Sequence, residues 1–293
     1  MKLIDGKAVS EELKNTLKQD VLEYQQRTGR TPHLAAIIVG NNPASKAYVG
    51  NKVKSCHQVG FRSTLIQLPE DITEQLLIEE IQKLNNDPDI DGFIVQLPLP
   101  AHIDEVKVTL AIDPKKDVDG FHPVNFGRMA QGLPCYLPAT PYGILLLLDR
   151  YNIEVSGKHV VVVGRSNIVG TPISILLSRK ANPGNATVTL AHSRTKNLSE
   201  ITLQGDILIA AIGIPDFIKE DMVKDNAVVI DVGINRVAAP DQPKGSKLTG
   251  DVDFLNVRSK TSYITPVPGG VGPMTVLGLM LNTFKAAKKE IYP

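Results

Sequence analysis

Cysteine is scarce in this chain of 293 residues, which holds only Cys56 and Cys135. The two lie far apart and match no metal-ligand spacing. That excludes a disulfide framework and fits a reducing compartment. An excess of either charge is lacking too. Lys plus Arg is 32 against 31 for Asp plus Glu, a formal charge of +1. Such a balance gives no global field for nucleic acid or an anionic membrane. Long apolar runs are missing, and stretches such as residues 144–148 fall far short of a membrane span. The opening Met-Lys-Leu-Ile-Asp-Gly-Lys turns polar too early for a signal h-region. No repeat or low-complexity segment stands out. These absences predict a cytoplasmic globular protein whose partners are neither nucleic acid nor membrane. With 42% apolar and 22% charged residues, the chain has room for about two domains of roughly 100–200 residues each.

What is present alternates in period. Ala8, Leu13, Leu17, Val21 and Tyr24 recur at helical spacing until Gly29 stops the helix. Residues 34–39 read as a buried strand and residues 43–59 as a helix ended by Gly60. Strands are predicted at 64–68 and 92–97, with a helix at 73–84 between them. Repeated βα alternation implies an α/β fold with a parallel sheet covered by helices. Residues 134–140, rich in proline, are a candidate linker. Pro141 then suits a first helical position before 142–150. A second series follows, with strands at 158–163, 187–191, 207–212 and 227–232 and a helix at 170–180. Residues 238–246 read as a surface loop. The final helix, 273–289, has an apolar stripe at Val276, Leu277, Met280, Leu281 and Phe284.

Four valines run into Gly-Arg-Ser-Asn-Ile-Val-Gly at 164–170. A buried strand meeting glycine, with a second glycine at a helix start, suits a pyrophosphate. Glycine lets the backbone come close, and the helix N-terminus favours negative charge. The spacing Gly164-x5-Gly170 is neither G-x-G-x-x-G nor a P-loop, and a tight βα turn of an ordinary α/β domain is the alternative. The next strand ends in His192-Ser193-Arg194-Thr195, where a NAD site would place a carboxylate for the ribose 2′-OH. With Arg165, these groups suit a 2′-phosphate, which favours NADP. Either arginine alone is equally a solvated surface charge.

In the first half, Tyr48 and Lys52 fall on one helical face at i, i+4. A buried Lys beside a phenol can accept or donate a proton, though a solvated Lys beside a packed Tyr gives the same spacing. Gln96 sits where a buried strand ends, the edge at which open α/β sheets bind ligands. In Gln-Leu-Pro-Leu-Pro at 96–100, one proline could be cis. In Lys-Asp-Val-Asp-Gly-Phe at 116–121, Asp117 or Asp119 could accept from a ring amine, or simply form an Asp-Gly turn. Residues 266–273 place three glycines ahead of a helix, which allows close approach to a ligand.

Singly these motifs are weak, but their order is specific. Tyr48-x-x-x-Lys52, the run at 95–100, Lys-Asp-Val-Asp-Gly-Phe, Gly-Arg-Ser at 164–166 and Pro-Val-Pro-Gly-Gly-Val-Gly-Pro at 266–273 span nearly the whole chain. Together they resemble the bifunctional methylenetetrahydrofolate dehydrogenase/methenyltetrahydrofolate cyclohydrolase (FolD) family. The resemblance implies two α/β domains with a cleft between them. Residues 1–140 and 271–293 would form the folate-binding catalytic domain, and residues 141–270 a Rossmann-like NADP-binding domain. It implies NADP-dependent oxidation of 5,10-methylenetetrahydrofolate, then hydrolysis to 10-formyltetrahydrofolate. Lys52 would move the proton, Tyr48 would pack on the folate, Gln96 would tune Lys52 and Asp119 would hold the pterin. Leu97, Gly270 and Pro273 would also line the folate. Gly164, Arg165, Ser166, Ser193 and Ile234 would line NADP, and no metal is implied. A homodimer through the cofactor domain is expected as well. The chain departs from the family at Pro138-Ala139-Thr140-Pro141, where a cysteine usually stands, so no thiol acts there. Two rival readings are another two-domain NADP reductase, resembling shikimate dehydrogenase, and a non-catalytic nucleotide-binding protein. The first leaves Gln-Leu-Pro-Leu-Pro unexplained, and the second does not require Lys52.

Overall fold

The computed structural model describes residues 1–240, 242 and 245–292, without the side chains of Pro43, Ala44 and Ala47. In chain order the elements are β1 (Lys2–Leu3), α1 (Gly6–Thr28), β2 (His33–Val39), α2 (Pro43–Val59), β3 (Arg62–Leu68), α3 (Glu74–Asn86) and β4 (Gly92–Val95). Next come α4 (Glu105–Ala111), α5 (Pro123–Ala130), α6 (Ala139–Arg150), β5 (His159–Val163), α7 (Gly170–Ser178), β6 (Thr187–Ala191) and α8 (Leu198–Thr202). The chain ends with β7 (Ile207–Ala210), β8 (Ala227–Asp231), β9 (Asn235–Ala238), β10 (Ser246–Thr249), α9 (Phe254–Val257), β11 (Thr261–Ile264) and α10 (Val271–Ala287). Two compact units result, one of Glu11–Ala139 with Val276–Pro293, the other of Met1–Ser10 with Thr140–Thr275.

The first of these units holds a parallel sheet in the order β3-β2-β4. All seven residues of the central β2 are buried, because both faces of the sheet are covered. Leu34, Ala36 and Ile38 pack with Leu17, Val21, Val49 and Phe284, whereas Ala35, Ile37 and Val39 pack with Leu77, Ile81 and Val108. A strand buried on both faces reads as an unbroken apolar run, which is why 34–39 is so plain in the sequence. The candidate linker at 134–140 is instead core. Tyr136 is buried, donates its hydroxyl to Lys115 O (3.1 Å), and its N–H goes to Asn125 Oδ1 (3.3 Å).

The second unit has six strands in the order β1-β11-β8-β7-β5-β6, paired parallel throughout. After β5 the chain adds β6 on one side, then β7 on the other. Strand order therefore reverses at β5, and an open α/β sheet has its ligand crevice at the carboxyl end of such a point. Residues 1–10 pack with this unit, whereas the resemblance grouped them with residues 11–140. Lys2 and Leu3 pair with Tyr263 and Ile264, Lys7 N donates to Gly269 O (2.8 Å) and Ser10 Oγ to Pro273 O (3.2 Å). Two-residue β1 is too short to carry a period. The expected loop at 238–246 is flanked by the antiparallel pair β9 and β10, and its Asp241, Pro243 and Lys244 lie outside the described residues. Pro141 is the third residue of α6, not the first.

Candidate active site

In α2, Ser45, Val49, Lys52, Cys56 and Val59 are all buried. Their spacing is that of one helical stripe facing the core, and Lys52 occupies it at 4% exposure. A buried ammonium is costly unless partnered. Lys52 Nζ donates to Gln96 Oε1 at 3.2 Å and stands 4.7 Å from the centroid of the Tyr48 ring. Gln96 extends the β4 ladder by one bond, its N–H reaching Ile37 O at 2.9 Å. Its Nε2 donates to Leu97 O at 2.7 Å, so the amide is fixed with its oxygen towards the amine. The Leu97–Pro98 peptide is cis, as the paired prolines allowed.

Asp119 reaches the same place by another route. A parallel bridge between Phe93 and Asp117 lays the chain beside β4, and Asp119 follows two residues later. Burial raises its pKa, and the charge of Lys52 partly offsets this. Burial likewise lowers the pKa of Lys52, offset in part by Asp119. A lysine whose pKa falls towards neutrality has a larger neutral fraction to accept a proton. Asp119 stays partly accessible and, with Leu97, Phe93, Val108 and Ile112, lines a cavity of about 20 Å³.

Asp117 does not share that role, although the sequence left it open. It is 2% exposed, and its carboxylate accepts from Phe121 N (3.2 Å), His122 N (2.8 Å) and Asn125 Nδ2 (2.9 Å). Burial pushes its pKa up to about 7 despite those donors. Asp117 shapes the loop that presents Asp119.

In the other unit, Gly164 follows β5 at φ +119°, and its N–H goes to Ala191 O of β6 at 2.9 Å. A Cβ at Gly164 would lie 2.0 Å from Ala211 O, and one at Gly170 would lie 1.8 Å from Gly164 O. Only glycine fits either position. The N–H groups at the start of α7 are not free but are taken up within the chain. Val169 N and Gly170 N donate to Ser166 Oγ (3.2 and 3.4 Å), and Thr171 N to Ser166 O (3.0 Å). Ser166 thus folds the turn on itself, leaving the helix dipole and a bare glycine backbone as the anion-attracting features.

Because β5 and β6 are neighbours in register, Arg165 and the turn holding Ser193 and Arg194 leave the sheet side by side, and all three are exposed. Ile234, 54% exposed, follows β8 on the same edge. The glycine-rich run leaves that edge after β11. A Cβ at Gly272 would come 3.3 Å from Ile234 Cδ1, and one at Gly270 2.5 Å from Pro266 O. The edge therefore gathers Gly164, Arg165, Ser166, Ser193, Ile234, Gly270 and Pro273 within one unit, whereas Lys52, Tyr48, Gln96, Leu97 and Asp119 gather in the other. Glycine-bare backbone, exposed arginine and no carboxylate at the end of β6 fit a dinucleotide carrying a 2′-phosphate.

Two features escaped the sequence reading. Cys56 is one turn from Lys52. Its thiol donates to Met280 Sδ (3.6 Å), and burial pushes its pKa up to about 12, which keeps it neutral. Asp231 and Asp251, both buried, bind the loops of the second unit. Only Asp231, closing an apolar strand, left any trace in the pattern.

Fold and sites thus define a two-unit α/β protein that pairs a buried amine centre with a Rossmann-like dinucleotide edge. The family models agree. Residues 4–119 match the tetrahydrofolate dehydrogenase/cyclohydrolase catalytic domain, and residues 138–291 match the NAD(P)-binding domain of the same name. A bifunctional protein FolD from Flavobacterium johnsoniae is 59% identical over 288 residues, 98% of each chain. The crystal structure of the bifunctional FolD dehydrogenase/cyclohydrolase from Campylobacter jejuni is 46% identical over 99% of each chain, with a TM-score of 0.92. A Trypanosoma brucei FolD structure, complexed with NADP cofactor and inhibitor, is 38% identical over 99% of this chain and 98% of that one, with a TM-score of 0.94. The chain belongs to the tetrahydrofolate dehydrogenase/cyclohydrolase family. Neither rival reading gains support from these matches. Among the described residues no helix is long and apolar enough to cross a membrane.

Proposed function

We propose that this protein oxidises 5,10-methylenetetrahydrofolate to the 5,10-methenyl form with NADP+, then hydrolyses that product to 10-formyltetrahydrofolate. The observation that carries this reading is the buried Lys52 amine, held by Gln96 and balanced by Asp119. When bound, NADP+ supplies the hydride acceptor. The carbon that loses hydride lies between two nitrogens, whose lone pairs stabilise the resulting cation. The first step therefore needs positioning more than a base. In the second, water adds to the amidinium carbon and gives up a proton, which neutral Lys52 accepts. The bond from that carbon to N5 then breaks as the added hydroxyl gives up its remaining proton to become the formyl oxygen and N5 takes up a proton. Overall, methenyl cation and water give the 10-formyl product and one released proton.

Tyr48 packs against the folate ring and limits the freedom of Lys52, Gln96 holds the amine, and Asp119 accepts from the pterin. Leu97 adds apolar contact. Gly270 and Pro273 are carried over as folate contacts on the resemblance. Gly164, Arg165, Ser166, Ser193 and Ile234 hold NADP, with Arg165 and Ser193 meeting the 2′-phosphate. Cytoplasmic location and a homodimer are part of the same reading. The test is an absorbance assay of methylenetetrahydrofolate with NADP+ and then NAD+. Turnover with NADP+ well above NAD+ is expected. No turnover with either, or equal rates, would overturn the reading or its cofactor choice respectively.

A further inference from the structure

The loops at the carboxyl edge of the six-stranded sheet share a buried anchor. Asp251 is fully buried. Its Oδ2 accepts from Ile212 N (2.6 Å) and Gly213 N (2.9 Å), in the loop after β7. Its Oδ1 accepts from Asn235 Nδ2 at 2.9 Å, and Asn235 directly follows Ile234. Asp231, at the end of β8, holds the anchor in place. Its Oδ1 accepts from Gly233 N and Asp251 N (both 2.9 Å), and its Oδ2 from Val252 N (3.0 Å). Asp231 N in turn donates to Thr265 Oγ1 (2.7 Å), at the foot of the glycine-rich run. The loops after β7, β8 and β11 thus converge on two carboxylates 20 positions apart in sequence. A Cβ at Gly250 would lie 1.7 Å from Asp231 Oδ2, so the packing leaves no slack.

Neither acid reaches the open face, yet the exposed groups of that face ride on the loops they fix. Buried carboxylates satisfied by N–H donors make short, directional, charge-assisted bonds. A loop held in its bound shape loses less entropy when a ligand arrives. We propose that Asp251 is a positioning residue for the nicotinamide cofactor, setting the loops after β7 and β8 through Ile212, Gly213 and Asn235 without touching the cofactor itself. This rests on the reading that NADP binds this edge.

The pair Asp251 and Asn235 gives the test. Asn235→Asp would set a second carboxylate against Asp251. Adding Asp251→Asn restores one acceptor and one donor across that contact, with the charge moved to the other side. NADP+ dissociation constants are measured by titration on the full chain, with methenyltetrahydrofolate hydrolysis followed on the same samples. Asn235→Asp is expected to weaken NADP+ about tenfold, and the double variant to return within about threefold of the original. Hydrolysis should stay within about twofold throughout. A double variant no better than Asn235→Asp would overturn the proposal, as would hydrolysis falling in parallel with affinity, the mark of a merely structural role. If Asn235→Asp does not fold, Asp251→Asn alone decides, through a several-fold loss of NADP+ affinity at unchanged hydrolysis. Equal affinity there would overturn the proposal. If the unaltered protein binds no NADP+, the underlying reading fails instead.

Discussion

Each unit buries ionisable side chains, and the clusters around Lys52 and Asp251 serve different ends. In the unit of Glu11–Ala139 with Val276–Pro293, the buried cation Lys52 faces Gln96 and Asp119. In the other, the buried acids are Asp231, whose pKa burial pushes up to about 7, and Asp251, held by backbone N–H groups and the Asn235 amide. The first arrangement leaves an amine short of full solvation, so its proton affinity falls and it can react. The second satisfies its carboxylates and uses them as fasteners, while the outward groups Arg165, Ser193 and Ile234 remain exposed. In the proposed function Lys52 does the chemistry, and there the fold tunes a pKa. Where a cofactor brings the chemistry, the fold supplies shape.

That contrast can be broken by separating the two activities. The largest effect is expected from Lys52→Met. It keeps an unbranched side chain one atom shorter but removes the proton acceptor, and general-base catalysis is worth roughly 10²–10⁴-fold. Methenyltetrahydrofolate hydrolysis should fall by that order, with NADP+ affinity within about twofold of the original by titration. Hydrolysis surviving intact would remove Lys52 from the mechanism. A smaller effect is expected from Arg165→Ala at the other unit. Hydrogen bonds to charged groups are worth roughly 1.5–3 kcal/mol, or about 10–100-fold. The Michaelis constant for NADP+ should rise by that factor, with little change for NAD+. An equal rise for both would mean that Arg165 does not read the 2′-phosphate.

The same contrast governs what the sequence discloses. β2 and β5 are legible because both faces are covered, so each is a plain apolar run. β11 is only four residues long, its Ser and Tyr are half-buried, and it leaves no such mark. The short α4 and α5 went unread although Asp104 and His122 cap them, because seven or eight residues carry too little periodicity. Tyr48 and Lys52 are legible as a pair, since helical spacing alone brings them together. Gln96 and Asp119 join them only through the pairing of β2 with β4 and the bridge from Phe93 to Asp117. Ser166 was legible as part of the turn, but not the inward folding of that turn onto its hydroxyl. Asp231 and Asp251 meet only because β8 and the segment after β10 end at one edge, which no local pattern encodes.

The smallest and most direct effect is a displacement on the pH axis. Burial lowers the pKa of Lys52 from the ordinary 10.5, and Asp119 holds it up. The neutral amine is the form that accepts a proton, so kcat for hydrolysis should rise with pH through that lowered value. Removing the Asp119 charge removes an influence that favours the ammonium, so Asp119→Asn should move the rising limb to lower pH. The decisive measurement is the kcat–pH profile of methenyltetrahydrofolate hydrolysis for the unaltered protein and Asp119→Asn, each corrected with the Lys52→Met rate as background. A rising limb below the ordinary lysine range is expected, shifted acidward in Asp119→Asn. A limb at the ordinary lysine value, or one that shifts alkaline, would contradict it.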